Sequence, residues 1–238
     1  TNSYIIGQNA GTLPSVLHTN GTLRVTNSAR TALLEVRRGT NRLEAGVIQA
    51  DRLVLTNNAG ASVFNGGTLI TGRASISNGL SFDVGAGGSV PAIWDVRAGA
   101  DAGLSSSLRI GSNVPGCQML VTNGGKVISS SSAVIGATAN SPSNTVIIAG
   151  AASEWRSVGA LAVGSVGSAN QLVITNGGKV YSGSGTVGDA SVANSNVVVI
   201  AGDGSAWTAS SGGVVVVGNN GSCNQLILTN GGTLTNNE

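Results

Sequence analysis

The sequence predicts an all-β protein that forms a parallel β-helix (β-solenoid), with about 26 residues in each coil and about nine coils. Three observations predict this class. One short string recurs at nearly constant spacing, runs of Val, Ile and Leu have the length of strands, and Gly and Asn separate those runs. The composition agrees with it, because 41% of the 238 residues are apolar whereas only 9% are charged.

The recurring string is Thr-Asn-Gly-Gly. Its three copies begin at positions 122, 175 and 229, so the offsets are 53 (175 − 122) and 54 (229 − 175), and each copy follows an apolar run. Asn and Gly readily adopt the positive φ that tight turns require, so the string predicts a turn after each run. The turn residues of this motif are Asn123, Gly124, Gly125, Asn176, Gly177, Gly178, Asn230, Gly231 and Gly232.

A second mark divides each of these double units into two coils. An asparagine precedes an apolar run at positions 144, 170, 196 and 224, so the steps are 26 (170 − 144), 26 (196 − 170) and 28 (224 − 196). Stacked coils place such residues one above another, where side-chain amides can donate and accept hydrogen bonds along the axis. We therefore expect a ladder, and the alternative is that each residue only begins a turn. The ladder residues are Asn144, Asn170, Asn196 and Asn224.

The apolar runs have the features of strands. They are short, rich in β-branched side chains and bounded by turn residues, and they lack the periodicity of amphipathic helices. One coil cannot bury its inward face alone, whereas stacked coils cover one another and pair their backbones. At a spacing of ~4.8 Å, about nine coils would form a rod about 43 Å tall.

The whole chain, 1–238, is predicted to be a single solenoid. Residues 1–110 form degenerate coils, and residues 111–238 form regular 26-residue coils in 53-residue double repeats. The first part carries a net charge of +3 (9 − 6) and the second of −1 (3 − 4). Because the chain begins and ends in mid-pattern, we expect a piece of a longer protein or a mature processed form.

The repeat is loose in the first half. The segment Leu23–Asn27 matches the segment Leu53–Asn57, which suggests equivalent strands. Between Thr71 and Gly103 the strand register does not follow from the pattern.

Several segments resemble the autotransporter-associated β-strand repeats of large bacterial surface proteins. They are Gly39–Leu43, Ala45–Ile48, Arg52–Asn57 and Asn65–Leu69, and the later unit Leu172–Gly178 is similar. The resemblance implies secretion, a right-handed parallel β-helix, and a passenger or stalk outside the cell. It implies no catalytic residues.

Composition and charge argue against several classes of function. A net charge of +2 is too small for a nucleic-acid-binding footprint. No apolar run reaches the ~18 residues of a membrane span, so no membrane insertion by this chain is expected. His18 is the only histidine, and a structural or exposed role is expected for it. We expect no enzymatic activity and no cofactor.

Three local motifs are weak candidates for binding sites. The segment Gly183–Gly188 satisfies G-x-G-x-x-G, but no helix is predicted after it, which argues against nucleotide binding. Lys126 and Lys179 follow Asn-Gly-Gly without the hydroxyl residue of a P-loop and are expected to be solvated turn residues. Asp189 and Asp203 fall in turns of neighbouring coils and could bind calcium. Because acidic residues are scarce, however, we expect no metal site.

Tryptophans and cysteines are placed by the repeat. Trp155 and Trp207 lie two coils apart, and we favour core packing over stacking on sugars. Cys117 takes the asparagine position of its coil, whereas Cys223 lies one residue before that position four coils later. That separation, roughly 19 Å, exceeds the reach of an intramolecular disulfide.

The first functional hypothesis is an extracellular structural protein of bacteria, secreted or on the cell surface. It would be a β-solenoid stalk, surface-layer or fibre subunit that associates with itself end to end, because the strand edges at each end of a solenoid need partners.

Two alternatives remain open. One is an adhesin module that binds surface glycans or host or cell-surface partners through an irregular segment, for which Val84 to Asp101 is the best candidate. The other is a polysaccharide-active β-helix enzyme, whose groove would use acids together with Arg37, Arg38, Arg42 and Arg52. Surface ion pairs account for the same charges without catalysis.

Overall fold

The structure is a computed structural model and describes residues 2–210 and 212–236. This part of the chain contains 25 strands and no helix. Strands at the same place in successive turns pair in parallel. Stacked residues such as Asn144 and Asn170 are 26 residues apart in the chain. The protein is therefore a parallel β-solenoid of about nine turns, which confirms the predicted fold class.

Each complete turn contributes one strand to each of three faces. Faces 1 and 2 belong to a 16-stranded sheet, and face 3 is a separate 9-stranded sheet. The three longest strands of the first half run from face 1 into face 2 without interruption, whereas in later turns a tight turn separates the two faces.

The strand bounds are given face by face. Face 1 contains β3 (Thr22–Val25), the first parts of β6 (Val47–Leu55), β8 (Gly67–Ile76) and β10 (Ala92–Leu104), β12 (Gln118–Thr122), β15 (Thr145–Ala149), β18 (Gln171–Thr175), β21 (Val197–Ala201) and β24 (Gln225–Thr229). Face 2 contains β1 (Ser3–Ile6), β4 (Leu33–Val36), the second parts of β6, β8 and β10, β13 (Lys126–Ser129), β16 (Glu154–Ser157), β19 (Lys179–Ser182), β22 (Ala206–Ala209) and β25 (Thr233–Asn236). Face 3 contains β2 (Ser15–His18), β5 (Gly39–Leu43), β7 (Gly60–Phe64), β9 (Phe82–Val84), β11 (Leu108–Ile110), β14 (Ala133–Ile135), β17 (Leu161–Val163), β20 (Gly185–Val187) and β23 (Val215–Val217).

The turns of the first half differ in length, and one of them is short. Glu44 and Asn65, whose side chains form a hydrogen bond between adjacent turns, are only 21 residues apart. The suggested equivalence of Leu23 and Leu53 is wrong, because β6 runs from face 1 into face 2 without a turn. Leu23 pairs with Ile48 on face 1, whereas Leu53 lies on face 2.

A bulge interrupts β10 where faces 1 and 2 meet. Ala92–Val96 pairs with Gly67–Thr71, and Asp101–Leu104 pairs with Arg73–Ile76. The segment 97–100 thus lies opposite Gly72 alone. The segment from Val84 to Asp101 is therefore mostly strand, and its irregular parts are the loop before β10 and this bulge, which we call the 97–100 bulge.

The core lies between the three faces and is continuous along the axis. Inward residues alternate with outward ones in nearly every strand, and both Trp155 and Trp207 are fully buried. They lie on face 2, with Val180 between them in the strand register. Trp207 Nε1 donates a hydrogen bond to Ser182 Oγ at 2.9 Å. The expected core packing of these tryptophans is confirmed.

Candidate functional site

Four asparagines lie in one column, each directly before a strand of face 1. The Nδ2 of Asn144 donates to Asn170 Oδ1 at 2.8 Å, and that of Asn170 donates to Asn196 Oδ1 at 2.9 Å. Asn196 Nδ2 in turn donates to Asn224 Oδ1 at 3.0 Å. Each acceptor oxygen also accepts a hydrogen bond from the backbone N–H of the asparagine in the preceding turn. We call these four residues the asparagine ladder.

A cysteine precedes the ladder. The backbone N–H of Cys117 donates to Asn144 Oδ1 at 2.8 Å, so Cys117 occupies the asparagine position of its own turn. Its thiol is fully buried, and this burial raises the pKa of the Cys117 thiol above its usual value. Cys223 is exposed, and both cysteines are free thiols.

Glycines at the corner after face 3 make room for the ladder. The four have φ between 68° and 77°. A Cβ added to Gly136 would lie 2.2 Å from Asn170 Nδ2, and the other three glycines approach their asparagines as closely. The repeat analysis did not assign this role, although a glycine follows each short apolar strand of face 3. These glycines are Gly111, Gly136, Gly164 and Gly188.

The Thr-Asn-Gly-Gly motif forms the tight turn between faces 1 and 2. Asn123, Asn176 and Asn230 have φ of 53°, 54° and 50°. The last glycine of each motif, Gly125, Gly178 or Gly232, donates its N–H to the threonine carbonyl at 3.0 Å. The middle glycines Gly124, Gly177 and Gly231 also have positive φ. The turns of adjacent coils are tied together, because Ser153 Oγ accepts the N–H of Gly124 and Ser205 Oγ accepts that of Gly177.

The ladder has an unfinished end. Asn224 Nδ2 is buried and has no hydrogen-bond partner among the described residues, whereas each of the other three ladder amides donates to the next asparagine. Its natural acceptor would be the side-chain oxygen of an asparagine one turn further on.

Apolar side chains are exposed at the same end of the rod. Leu228 and Val217 are 49% and 41% exposed, although the residues beneath them in register, Ile200 and Val187, are fully buried. The outer edges of β23, β24 and β25 have no partner strand in the described part of the chain. We call these three edges, with their inward-facing side chains and Asn224, the terminal surface.

The structure does not bring the other candidate residues together into a site. His18 Nε2 lies 3.0 Å from Asn41 Oδ1, in a hydrogen bond between neighbouring turns of face 3. Asp189 follows a strand of face 3 and contacts Asn219, whereas Asp203 follows a strand of face 1. Within residues 2–210 and 212–236, no group of three metal-ligating side chains occurs.

Two motif assignments can be checked against the strands. The G-x-G-x-x-G segment Gly183–Gly188 encloses strand β20 and has no helix after it in the described residues, so it lacks the helix that a dinucleotide site needs. Lys126 and Lys179 are the first residues of β13 and β19 on face 2. The prediction that these lysines are turn residues was therefore wrong, because each lies directly after the turn, at the start of a strand.

The arginines expected in one groove are distributed over different faces. Arg37 forms an ion pair with Glu35 at 2.8 Å on face 2, and Arg42 pairs with Glu44 on face 3. Arg52 instead lines an open cleft on face 2. Arg37, Arg42 and Arg52 therefore do not line one common groove.

Comparisons with known proteins found no match among protein-family models, curated proteins or solved structures. Among the described residues, no helix is long and apolar enough to cross a membrane. The architecture alone thus characterises the chain, and it is that of a parallel β-helix repeat protein.

Proposed function

We propose that the protein is an extracellular structural subunit of a bacterial stalk, surface layer or fibre, in which solenoids stack end to end. The observation that carries this proposal is the terminal surface, where the buried Nδ2 of Asn224 lacks an acceptor among the described residues and Leu228 and Val217 are exposed. A buried donor without a partner costs about 1–3 kcal/mol, so this surface favours being covered.

The occupant we propose for the terminal surface is a second copy of the chain. The opposite end of the rod has the same three faces, and the outer edges of β1, β2 and β3 have no partner strand among the described residues. There Tyr4, Val16 and Leu23 occupy the columns of the buried residues beneath them and remain partly exposed. Head-to-tail stacking keeps all strands parallel and pairs edges that otherwise favour uncontrolled association.

The placement outside the cell rests on the resemblance to autotransporter-associated repeats. A stalk or surface layer needs a rigid, repetitive rod more than it needs reactive side chains. The asparagine ladder and the continuous core supply that rigidity, because each turn is covered by its neighbours.

Electron microscopy and analytical ultracentrifugation test the proposal. We expect filaments whose axial repeat is about 43 Å or a multiple of it, since about nine turns rise ~4.8 Å each. The Leu228→Lys variant puts a charge into the inward column of the terminal surface and should abolish them. Ile227→Lys is the matched control, because Ile227 lies on the same strand but outside the inward columns of Leu226 and Leu228.

Two results would overturn the proposal. One is a wild-type protein that stays monomeric at every concentration tested. The other is filament formation that survives Leu228→Lys, or that is lost equally in Ile227→Lys.

A further inference from the structure

Two open clefts lie side by side at the 97–100 bulge. The larger, of about 670 Å³, is lined by Arg52, Arg73, Asp101 and Lys126 together with Leu53, Val54 and small residues. The smaller, of about 390 Å³, is lined by Arg30, Thr31 and Asp51. They share Arg73 and Gly99, so they form one continuous depression across several turns.

The strand register brings the charges of the larger cleft together. Arg52 stands opposite Arg73, and Asp101 stands opposite both Arg73 and Lys126. Neighbouring strands are about 4.8 Å apart, and like charges directly opposite one another are destabilising unless an anion lies between them. Asp101 lies on the far side of Arg73, so an anion bound between Arg52 and Arg73 would relieve the repulsion that remains between the two arginines.

Within the part of the chain that the structure describes, the cations of the clefts are free of ion pairs, as Arg24 and Arg38 are elsewhere on the rod, but only in the clefts do they lie together. Among the described residues, the ion pairs are Arg37–Glu35, Arg42–Glu44, Arg97–Asp95, Arg109–Asp83 and Arg156–Glu154. None of the four cations that line the clefts takes part in one. Those four are Arg30, Arg52, Arg73 and Lys126.

The clefts have a surplus of positive charge. Four cations and two carboxylates give a net charge of +2 (4 − 2), as large as the net charge of the whole chain. One of the carboxylates is already engaged, because Asp51 accepts the backbone N–H groups of Asn27 at 2.7 Å and Ala32 at 3.3 Å. A multiply charged anion is thus the ligand that this surface fits.

We propose that the paired clefts bind a carboxylated polysaccharide. The guanidinium fork of Arg matches a carboxylate in two parallel hydrogen bonds, and two such forks lie on successive strands. The depression is open and lined by Ser75, Gly99 and Gly124, which suits a sugar chain lying across several turns. No aromatic side chain lines either cleft, so the base-stacking platform of single-stranded nucleic-acid binders is missing. This binding does not depend on end-to-end stacking.

Isothermal titration calorimetry with oligogalacturonate tests the proposal. The titrations use the Leu228→Lys background, so that filament formation does not contribute to the signal. The fully methyl-esterified oligomer is the uncharged probe with the same backbone. We expect the acid form to bind and the ester to bind much more weakly. Arg52→Gln combined with Arg73→Gln should weaken binding of the acid form about tenfold, because two charge-assisted contacts are lost.

A second double variant distinguishes binding at the clefts from non-specific electrostatic attraction to the positively charged surface. Arg24→Gln combined with Arg38→Gln removes the same charge from positions that line neither cleft, and it should change the affinity by less than about twofold, as expected for screened surface charges. Equal weakening by both double variants, or equal binding of acid and ester, would overturn the proposal. So would tighter binding of a single-stranded oligonucleotide through Arg52 and Arg73.

Discussion

Each inner asparagine of the ladder makes four hydrogen bonds with its neighbours along the axis. Asn170 accepts the backbone N–H and the Nδ2 of Asn144 on one side. On the other side its own N–H and Nδ2 both donate to Asn196 Oδ1. An amide side chain supplies both an acceptor oxygen and a donor nitrogen, and an inner position of the ladder uses both.

We predict that Asn170→Leu destabilises the protein by at least about 2 kcal/mol, because the buried N–H of Asn144 loses its acceptor and the ladder is cut. The measurement is the midpoint of urea unfolding. Asn140→Leu is the matched control, since Asn140 is exposed and takes part in none of the ladder's hydrogen bonds. Equal midpoints for the two variants would show that the ladder contributes nothing to stability.

At the scale of elements, the turn after each face 3 strand is coupled to the start of a face 1 strand one turn away. Gly136 follows β14, and the asparagine that it faces, Asn170, precedes β18. The glycine provides both the left-handed backbone and the space that the amide occupies. Corner and ladder are therefore one packing unit that repeats along the rod.

Replacing Gly136 by alanine should lower the free energy of unfolding by more than the cost of placing a non-glycine residue at positive φ. A Cβ there would meet Asn170 Nδ2 at 2.2 Å, and φ is 74°. Gly79→Ala is the control for conformation, because Gly79 has φ 80° but nothing within 4 Å of an added Cβ. In the control, thermal unfolding should show a free energy of unfolding that is lower by about 1–2 kcal/mol, which is the cost of a non-glycine residue in the left-handed conformation. If Gly136→Ala loses no more than that, the crowding argument is wrong.

At the scale of the whole molecule, stability is shared between neighbouring turns. Each turn contacts only the turns above and below it, so an inner turn is held from two sides and a terminal turn from one. Strand β18 is paired on both edges, whereas β24 is paired only with β21 among the described strands. Local opening is therefore easiest at the ends of the rod.

Hydrogen exchange measured by mass spectrometry should follow this gradient. In the monomeric Leu228→Lys variant, amides of β24 and β25 should exchange much faster than those of β18 and β19. In stacked wild-type protein the amides of β24 should become protected, because a second copy would cover their edge. Uniform protection along the monomer would contradict the nearest-neighbour description of this rod.

The repeat made much of the second half predictable. Where coils keep a nearly constant length, residues at the same place in the repeat must stack, so the strands and the asparagine column follow directly from positions 144, 170, 196 and 224. The turn after each face 1 strand follows in the same way, because Asn and Gly there supply the required positive φ.

The strand register of the first half and the grouping of charges on the surface were decided only by the tertiary structure. In the short coil from Val47 to Thr68, β6 continues from face 1 into face 2 without a turn, so that similar strings such as those at Leu23 and Leu53 fall on different faces. The short coil aligns Arg52 with Arg73, and the 97–100 bulge places Asp101 opposite Arg73, although neither arginine forms an ion pair among the described residues. By itself the sequence determined a parallel solenoid and its regular columns. The location of the charged clefts depended on coil length and bulge position, because stacking brings together residues that no constant period relates.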